Sequence, residues 1–258
     1  MIKIIFVDID WTILSHKEGH IFDLASIKAL NSAHSKGIKI IISSSRPYHS
    51  LEAIGAFELL NFDGFILSNG GYVSYDNETL YADIIEKEKV DELIKLVKPL
   101  GISLEGIGLK GHALLTKKSK LVDDYHQIYF EGTPKYQKKN IDIISFLLFT
   151  GEENDEYIIN NLPKGLKYFR FMPFGVDVVK NIHQKGDGVK LILNKLHIKK
   201  NEAMAFGDDD ADVSMFGKVK YSIAMGNSKK EVKEKSYDVT DDVWNEGVRK
   251  SLTKYKII

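Results

Sequence analysis

The sequence predicts an α/β fold with parallel strands, into which a separate α+β domain is inserted. Two observations predict this fold. Short apolar runs alternate with helical patterns at both ends of the chain, and such alternation is typical of parallel sheets. Between roughly residue 80 and residue 182 the pattern changes, and strand-like runs dominate. The predicted core therefore comprises residues 1–80 and 183–258, and the predicted insert comprises residues 81–182.

The core strands are predicted from buried apolar runs, most of which end in small or polar residues. They are the run ending at Val7, Ile38–Ile42, Gly64–Leu67, Ala203–Phe206 and Tyr221–Ala224. Asp23 can cap a helix between the first two runs, and Gly37 can end it. Because ligands bind at the carboxyl ends of parallel strands, the polar residues there predict a site assembled from several strand ends.

The insert begins with a helix whose apolar residues fall on one face, from Val90 to Val97, before Pro99 and Gly101. A second helix is predicted around Asn154 to Asn161. Strands are predicted at His112–Leu115, Ile143–Phe149, Tyr168–Phe171 and Val176–Val179. This mixture predicts an α+β domain.

The composition excludes several classes of function. The 258 residues include 36 basic and 36 acidic side chains, so a general affinity for nucleic acid or membranes is not expected. The chain has no cysteine, which excludes disulfides, thiol catalysis and thiolate zinc sites. The apolar start is too short for a signal peptide or a membrane span, so a cytoplasmic location is expected.

Three motif matches fail on their context. A glycine pattern of the dinucleotide-binding kind at residues 106–111 precedes a strand-like run, where a helix is required. Residues 208–212 imitate the start of a calcium loop, but Val213 occupies the place of its glycine. His16 and His20 have the spacing of a zinc pair, yet they lie in a polar segment and are expected to be solvated loop residues.

Two acids directly after the first strand suit phosphoryl transfer. Asp8 is a carboxylate that can attack phosphorus without prior deprotonation, and Asp10 can protonate a leaving oxygen and then activate water. Such clustered acids repel one another and a phosphate unless a divalent cation lies among them. Asp208 and Asp212 offer the hard oxygen ligands that magnesium takes.

Ser44 and Lys185 complete this set of residues. The Ser44 hydroxyl and nearby backbone N–H groups can bind phosphoryl oxygens, and Lys185 can neutralise charge on the transferring group. Each residue also has an ordinary structural interpretation: Asp8 and Asp10 as helix or turn caps, the serines as a polar turn, Lys185 as an exposed lysine, and residues 208–212 as a solvated acidic loop. Their order along separate strand ends favours the catalytic interpretation.

In that order these motifs resemble the haloacid dehalogenase superfamily, and within it the Cof-type phosphatases with a C2-type cap. The resemblance covers essentially the full chain. Four motifs carry it: Asp8-Ile-Asp10-Trp11-Thr12, Ser44-Ser45-Arg46, Lys185-Gly186, and Gly207-Asp208-Asp209-Asp210-Ala211-Asp212. Two further matches are Ser68-Asn69-Gly70 and Met225-Gly226-Asn227.

The resemblance implies a Rossmann-like core with a mostly parallel sheet, helices on both faces and an inserted cap that governs substrate specificity. It implies that Asp8 is the nucleophile and that Asp10 is the acid/base, with Ser44 and Lys185 as further catalytic residues. The implied ligands of Mg²⁺ are Asp8, Asp10 through its backbone carbonyl, Asp208 and Asp212. The residues predicted to bind substrate are Trp11, Ser45, Arg46, Asn69 and Asn227.

This chain departs from the family pattern at four positions. Trp11, Ser45 and Asp209 each replace a usual glycine, and Ala211 replaces an asparagine that helps hold the phosphate or its metal water. The aromatic ring of Trp11 is expected to crowd the site entrance or contact the leaving group. Loss of the amide at residue 211 is expected to lower affinity or rate.

The insert carries a basic stretch between Lys110 and Lys139. Its lysines are Lys117, Lys118, Lys120, Lys135, Lys138 and Lys139, and its interspersed tyrosines are Tyr125, Tyr129 and Tyr136. This stretch is interpreted either as a surface that attracts anionic phosphate esters or as a solvated basic face. Arg170 is another possible substrate contact.

We therefore expect a magnesium-dependent phosphatase that acts on small phosphomonoesters, with sugar phosphates the leading class by resemblance. Two alternatives stay open: a phosphomutase that uses the same aspartyl-phosphate, and a weakly active phosphoester-binding or regulatory module. The expected partner is a small phosphorylated metabolite, and neither nucleic acid nor membrane is expected. The chain is expected to be a monomer or a weak homodimer.

Overall fold

The structure is a computed structural model that describes residues 1–129, 132, 134 and 141–258. Lys135, Tyr136, Lys138 and Lys139 of the basic stretch lie outside the described residues.

The strands are β1 (Ile4–Val7), β2 (Leu14–Ser15), β3 (Ile21–Phe22), β4 (Lys39–Ser43), β5 (Gly64–Leu67), β6 (Tyr72–Tyr75), β7 (Glu78–Ala82), β8 (Ser103–Gly108), β9 (His112–Leu114), β10 (Ile143–Phe149), β11 (Lys167–Met172), β12 (Gly175–Val179), β13 (Ala203–Gly207), β14 (Tyr221–Ala224) and β15 (Asp238–Val239). The α-helices are α1 (Leu24–Ser35), α2 (Tyr48–Ala53), α3 (Ala56–Leu59), α4 (Lys87–Val97), α5 (Lys120–Ile128), α6 (Asp155–Asn161), α7 (Lys185–Leu196), α8 (Asp210–Phe216), α9 (Lys230–Glu234) and α10 (Gly247–Lys254).

The described residues divide into two compact units. The first unit comprises residues 1–46, 56–81 and 183–258, and the second comprises residues 47–55 and 82–182. The segment 47–55, which holds α2, thus groups with the second unit. The assignment of residues 81–182 to a cap domain stays a prediction.

The first unit is built on an eight-stranded sheet in the order β15-β14-β13-β1-β4-β5-β6-β7. The pairs from β15 through β5 are parallel, and β6 is antiparallel to β5. All four residues of β1 are buried, as expected of a central parallel strand whose two faces are covered. This sheet confirms the predicted α/β core.

Helices cover this sheet. Val189 and Ile192 of α7 pack with Met215 of α8 against alternate residues of β1, Ile4 and Phe6. Helix α1 contacts β4 and packs along α10. The Asp23 carboxylate accepts a hydrogen bond from the Ser26 N–H at the start of α1, which satisfies a backbone donor that has no partner within the helix.

The second unit contains a five-stranded sheet in the order β11-β12-β10-β8-β9, in which every neighbouring pair is antiparallel. One apolar cluster joins this sheet to two helices through Leu104 of β8, Phe146 of β10, Leu93 of α4 and Ile158 of α6. The antiparallel sheet and its helices agree with the predicted α+β insert. In the part of the chain that the structure describes, no helix is both long and apolar enough to cross a membrane.

Candidate active site

The first unit brings the predicted catalytic residues together at the carboxyl ends of adjacent strands. Strand β1 ends before Asp8, β4 ends before Ser44, and β13 ends before Asp208. The Asp8 N–H donates to the Phe206 carbonyl 3.1 Å away, so the β1–β13 pairing continues to the site itself. Because the strands are parallel and in register, side chains that are far apart in sequence converge here.

Lys185, the first residue of α7, lies between two carboxylates. Its Nζ is 2.6 Å from Asp8 Oδ1 and 2.7 Å from Asp212 Oδ1. The lysine side chain is only 3% exposed, and burial alone would lower its pKa. The charges of Asp212 and Asp8 outweigh that burial and hold the Lys185 pKa above its ordinary value. Lys185 is therefore a buried, charged ammonium group and not the exposed lysine of the alternative interpretation.

Asp8, Asp208 and Asp212 form an acid cluster. A carboxylate oxygen from each of the three lies within 4.8 Å of the other two. Asp212 is wholly buried, and its Oδ2 accepts the backbone N–H groups of Asp208 and Asp209 at 2.9 and 3.1 Å. Asp208 accepts a 3.2 Å hydrogen bond from Thr12 Oγ1. These bonds orient the acids toward one another.

In the absence of a cation, burial and mutual repulsion disfavour the ionised forms of the acid cluster. Burial raises the pKa of Asp8 well above its ordinary value, and the neighbouring carboxylates Asp212, Asp208 and Asp10 raise it further, against the lowering by Lys185. Burial together with Asp212 and Asp209 raises the pKa of Asp208 to about 7. A divalent cation would stabilise the ionised forms, and carboxylate oxygens are the ligands that Mg²⁺ prefers. The residues present therefore fit a magnesium site.

Asp10 is held by two cationic or ionisable partners. Arg46 donates from Nε to Asp10 Oδ2 at 2.8 Å and from Nη2 to Oδ1 at 2.9 Å, a bidentate pair. His16 Nε2 lies 2.7 Å from Asp10 Oδ1. Burial raises the pKa of Asp10, but the hydrogen bonds and charges of His16 and Arg46 outweigh it, so the pKa is lowered. The prediction that His16 is a solvated loop residue is wrong, because the ring is 18% exposed and bound to Asp10.

Ser44 lies in a tight turn formed by the second motif. Ser44 is fully buried, its N–H donates to the Ile66 carbonyl, and its Oγ accepts the Arg46 N–H at 3.1 Å. Ser45 is exposed. Asn69 has a left-handed backbone, with φ of 56°, and its N–H donates to the Ser44 carbonyl. The Ser44 N–H is therefore engaged in a backbone hydrogen bond of the fold. The Ser44 hydroxyl is the group of this residue that best fits its predicted role, the binding of a phosphoryl oxygen.

Trp11 has a left-handed backbone conformation, which favours the glycine expected at this position. Its φ is 58°, in the left-handed region that strains a residue with a Cβ. The residue is 37% exposed, and its ring contacts His16 edge to face at 5.1 Å. Asn227 Nδ2 donates to the Trp11 carbonyl at 2.8 Å, while Asn227 Oδ1 accepts the Val243 N–H. Asn227 thus has a structural function in holding this loop, and its predicted contact with substrate stays a prediction.

The dismissed motifs and the predicted insert contacts also have defined positions. Residues 103–108 form β8 and not a loop before a helix, and Asp209 and Asp212 form a capping box for α8.

Arg170, in the second unit, donates from Nε to Asp155 at 2.8 Å and from Nη1 to the Thr150 carbonyl at 3.0 Å. Lys117, Lys118 and Lys120 are exposed. The bonds of Arg170 give it a structural function within the second unit.

Sequence reasoning missed His16 and Thr12 as neighbours of the acids. Thr12 lies within the first motif, so its position two residues after Asp10 was a usable signal. His16 reaches Asp10 because the chain turns back through the short β2–β3 hairpin, in which Leu14 pairs with Phe22. No local spacing signals that return of the chain.

Comparison with known proteins agrees with this geometry. The profile of the haloacid dehalogenase-like hydrolase family matches residues 5–252, which confirms the family predicted from the motifs. Phosphoglycolate phosphatase 1 of Saccharolobus solfataricus is 26% identical, over 98% of this chain and 96% of that protein. The crystal structure of a hypothetical protein from Geobacillus kaustophilus superposes with a TM-score of 0.89 and 27% identity, over 100% of both chains. A haloacid dehalogenase subclass IIB sugar phosphatase superposes with a TM-score of 0.72 and 26% identity, over 99% of this chain and 100% of the other.

Proposed function

Since this chain belongs to the haloacid dehalogenase-like hydrolases, we propose that it is a magnesium-dependent phosphatase that cleaves small phosphomonoesters through an aspartyl-phosphate on Asp8. The family match and the phosphatases among the relatives confirm the predicted enzyme class. The single observation that carries the proposed mechanism is the contact of Lys185 with both Asp8 and Asp212, because it places a fixed positive charge beside the nucleophile.

Asp8 is the proposed nucleophile. The residue is 4% exposed and lies at the end of β1, so its side chain is shielded from bulk water. Attack of a carboxylate oxygen on phosphorus forms the new P–O bond while the ester oxygen leaves with the electrons of the old one. Lys185 stabilises the negative charge on Asp8 before attack and on the transferring group afterwards.

Asp8, Asp208 and Asp212 are the proposed side-chain ligands of Mg²⁺, with the Asp10 backbone carbonyl as a further ligand. When bound, the cation supplies charge neutralisation that lets an anionic phosphate approach ionised acids. The raised pKa values of Asp8 and Asp208 support this assignment, because burial and the repulsion of neighbouring carboxylates both disfavour the ionised forms, which a cation would stabilise.

Asp10 is the proposed acid/base. In the structure Arg46 and His16 stabilise its ionised form, which suits the second step, in which a carboxylate takes a proton from the water that attacks the aspartyl-phosphate. The first step needs a proton on Asp10 for the leaving alcohol. The Arg46 and His16 contacts, which stabilise the ionised carboxylate, therefore have to loosen when substrate binds.

The proposed substrates are sugar phosphates, with 2-phosphoglycolate as a second candidate. The first class is supported by the subclass IIB sugar phosphatase among the similar structures, and the second by the phosphoglycolate phosphatase of S. solfataricus. A phosphate-release screen with Mg²⁺ over sugar phosphates, 2-phosphoglycolate, nucleotides, pyridoxal phosphate and flavin mononucleotide would rank them by kcat/KM. We also propose a cytoplasmic location for the enzyme.

The mechanism is tested with Asp8→Asn and a generic aryl phosphate. The amide keeps the shape of the side chain but lacks the nucleophilic oxygen, so we expect turnover to fall by at least about 10³-fold. Removal of divalent cations with EDTA should abolish wild-type turnover, and added Mg²⁺ should restore it. Asp91→Asn, on an exposed residue of α4, is the control and should leave turnover unchanged. Full activity of Asp8→Asn, or of the EDTA-treated enzyme, would overturn the proposal.

A further inference from the structure

The second unit contains three histidines around one fully buried carboxylate, and the proposed phosphatase mechanism uses none of these residues. This histidine cluster consists of His49, Glu105, His112 and His126. Glu105 has no exposed surface, His49 is 7% exposed and His126 is 1% exposed. Burying an ionised carboxylate is costly unless its oxygens are satisfied. Here both oxygens are used: His112 Nδ1 is 2.6 Å from Oε1, and His126 Nε2 is 2.9 Å from Oε2.

The fold explains why these residues meet. Ile107 of β8 pairs directly with His112 of β9, and side chains two residues apart on a strand share a face, so Glu105 and His112 lie on the same face of the sheet. That face is opposite the one on which Leu104 packs against α4 and α6. His126 comes from α5 and His49 from α2, so both helices place an imidazole beside Glu105.

The His49 and His112 rings are stacked, with centroids 3.8 Å apart and an angle of 18° between their planes. A neutral imidazole keeps a lone pair, and this lone pair is what binds a metal ion.

We propose that His49, Glu105 and His112 bind a divalent transition-metal ion, for which Zn²⁺ is the best chemical match. One potential ligand atom from each of the three lies within 4.8 Å of the other two. Zn–N and Zn–O bonds of about 2.1 Å in tetrahedral geometry place ligand atoms roughly 3.4 Å apart, so the ligand atoms must move closer together and the stacked imidazoles must rotate until their lone pairs converge on the ion. Two imidazoles and one carboxylate suit zinc, whereas magnesium and calcium take oxygen ligands.

His126 is a positioning residue in this site. Its bond to Glu105 Oε2 fixes the orientation of the carboxylate whose other oxygen faces His112. Such outer partners of a metal ligand commonly change metal affinity by about 10- to 100-fold. The bound ion would link α2, from residues 47–55, to the β8–β9 hairpin of the same unit.

The test uses Co²⁺ as a spectroscopic substitute for Zn²⁺ on the full-length, metal-free protein in excess Mg²⁺. On the proposed function, magnesium is expected to occupy the all-oxygen acid cluster, and tetrahedral Co²⁺ with nitrogen ligands absorbs visible light far more strongly than octahedral Co²⁺ with oxygen ligands. We expect the wild type to show the strong tetrahedral band at one Co²⁺ per chain, with displacement by Zn²⁺. We also expect Zn²⁺ to raise the Tm of the wild type, because the ion binds the folded state.

Four single variants locate the site. His49→Gln and His112→Gln should abolish the tetrahedral band and the Zn²⁺-dependent rise in Tm. His126→Gln should weaken binding by about 10- to 100-fold. His197→Asn is the matched control, since His197 lies in the first unit in a left-handed conformation that asparagine tolerates. Circular dichroism confirms folding of each variant. Absence of a tetrahedral band in the wild type, or the same affinity in folded His49→Gln and His112→Gln, would overturn the proposal.

Discussion

Asp208 in the first unit and Glu105 in the second are carboxylates largely removed from solvent, yet their pKa values move in opposite directions. Asp208 lies beside other acids, and burial with Asp212 and Asp209 raises its pKa to about 7. Glu105 lies between imidazoles; burial raises its pKa, but hydrogen bonds from His112 and His126 outweigh burial and lower it. The sign of the charge on the neighbouring groups, rather than burial itself, therefore decides which protonation state of each carboxyl group is stabilised.

The comparison also separates two kinds of stabilisation. The acid cluster has one internal cation, Lys185, for several acids, and needs a further cation to be fully ionised. The histidine cluster satisfies its one carboxylate without a metal, through two imidazoles. The first arrangement disfavours the ionised form of its carboxylates until a cation binds, and the second favours the ionised form of its carboxylate. Four predictions test this contrast.

The largest expected effect is that of Lys185→Met. Removing one partner of a buried ion pair leaves Asp8 and Asp212 without their shared cation, so the free energy of unfolding in magnesium-free buffer should fall by about 3–5 kcal/mol. Urea denaturation measures it. Lys190→Met, on an exposed lysine of the same helix, is the control and should change stability by less than about 0.5 kcal/mol. Equal stability of the two variants would show that Lys185 does not stabilise the acid cluster.

Glu105→Gln should have the next largest effect. The amide keeps the volume of the side chain but loses the charge that the two imidazoles stabilise, so metal-free protein should lose about 2–3 kcal/mol of unfolding free energy. Glu88→Gln, on an exposed residue of α4, is the control. If both variants unfold at the same urea concentration, the histidines do not stabilise the ionised carboxylate.

The two clusters should contribute opposite pH dependences in metal-free protein. A carboxyl with a raised pKa binds its proton more tightly when folded, so the Asp208 contribution is present at low pH and is lost as the pH rises toward about 7. Glu105 has a lowered pKa, so its contribution is present above its unfolded value of about 4.3 and is lost as the pH falls further.

These contributions are separated by variants studied from about pH 3 to pH 8. The stability of the wild type relative to Asp208→Asn should fall as the pH rises from about 4 to 7, and saturating Mg²⁺ should remove that slope. The stability relative to Glu105→Gln should fall on acidification below about pH 4.3. Slopes of the same sign in both comparisons would contradict the opposite pKa directions.

The smallest expected effect is that of Trp11→Gly. Glycine relieves about 1–2 kcal/mol of left-handed strain but costs about 0.5–1 kcal/mol of chain entropy, and the ring contact with His16 is lost. We expect a net gain of no more than about 1 kcal/mol in the free energy of unfolding, measured in urea. Tyr157→Gly, on an exposed residue with an ordinary helical backbone, should instead destabilise. Marked destabilisation by Trp11→Gly would show that the indole contacts matter more than the backbone strain.

Much of the fold could be predicted because central strands are continuous apolar runs. The predicted strands Gly64–Leu67, Tyr221–Ala224 and Ile143–Phe149 coincide with β5, β14 and β10. Helix α5 was not predicted, because only a few of its residues are apolar and it follows directly on the lysines of the basic stretch. The orientation of such a segment is fixed by its packing, here through Val122 and His126, which local sequence does not show.

The two clusters also differ in how well they could be predicted from the sequence. The acid cluster lies directly after predicted strands, so parallel pairing brings its members together by a rule that applies to the whole fold. The members of the histidine cluster lie on two helices and a hairpin, with no ligand spacing that sequence could signal. Likewise, the contact of His16 with Asp10 depends on the path of one loop.

The position of Trp11 gives this protein an intrinsic optical probe. The chain has only two tryptophans, and the indole of Trp11 lies 5.1 Å from the His16 ring that binds Asp10. The other, Trp244, has the Lys17 ammonium over its ring at 4.7 Å. Because indole emission depends on the groups that contact the ring, the emission of a Trp244→Phe variant would report changes in the His16–Asp10 contact in real time during turnover, without an added label.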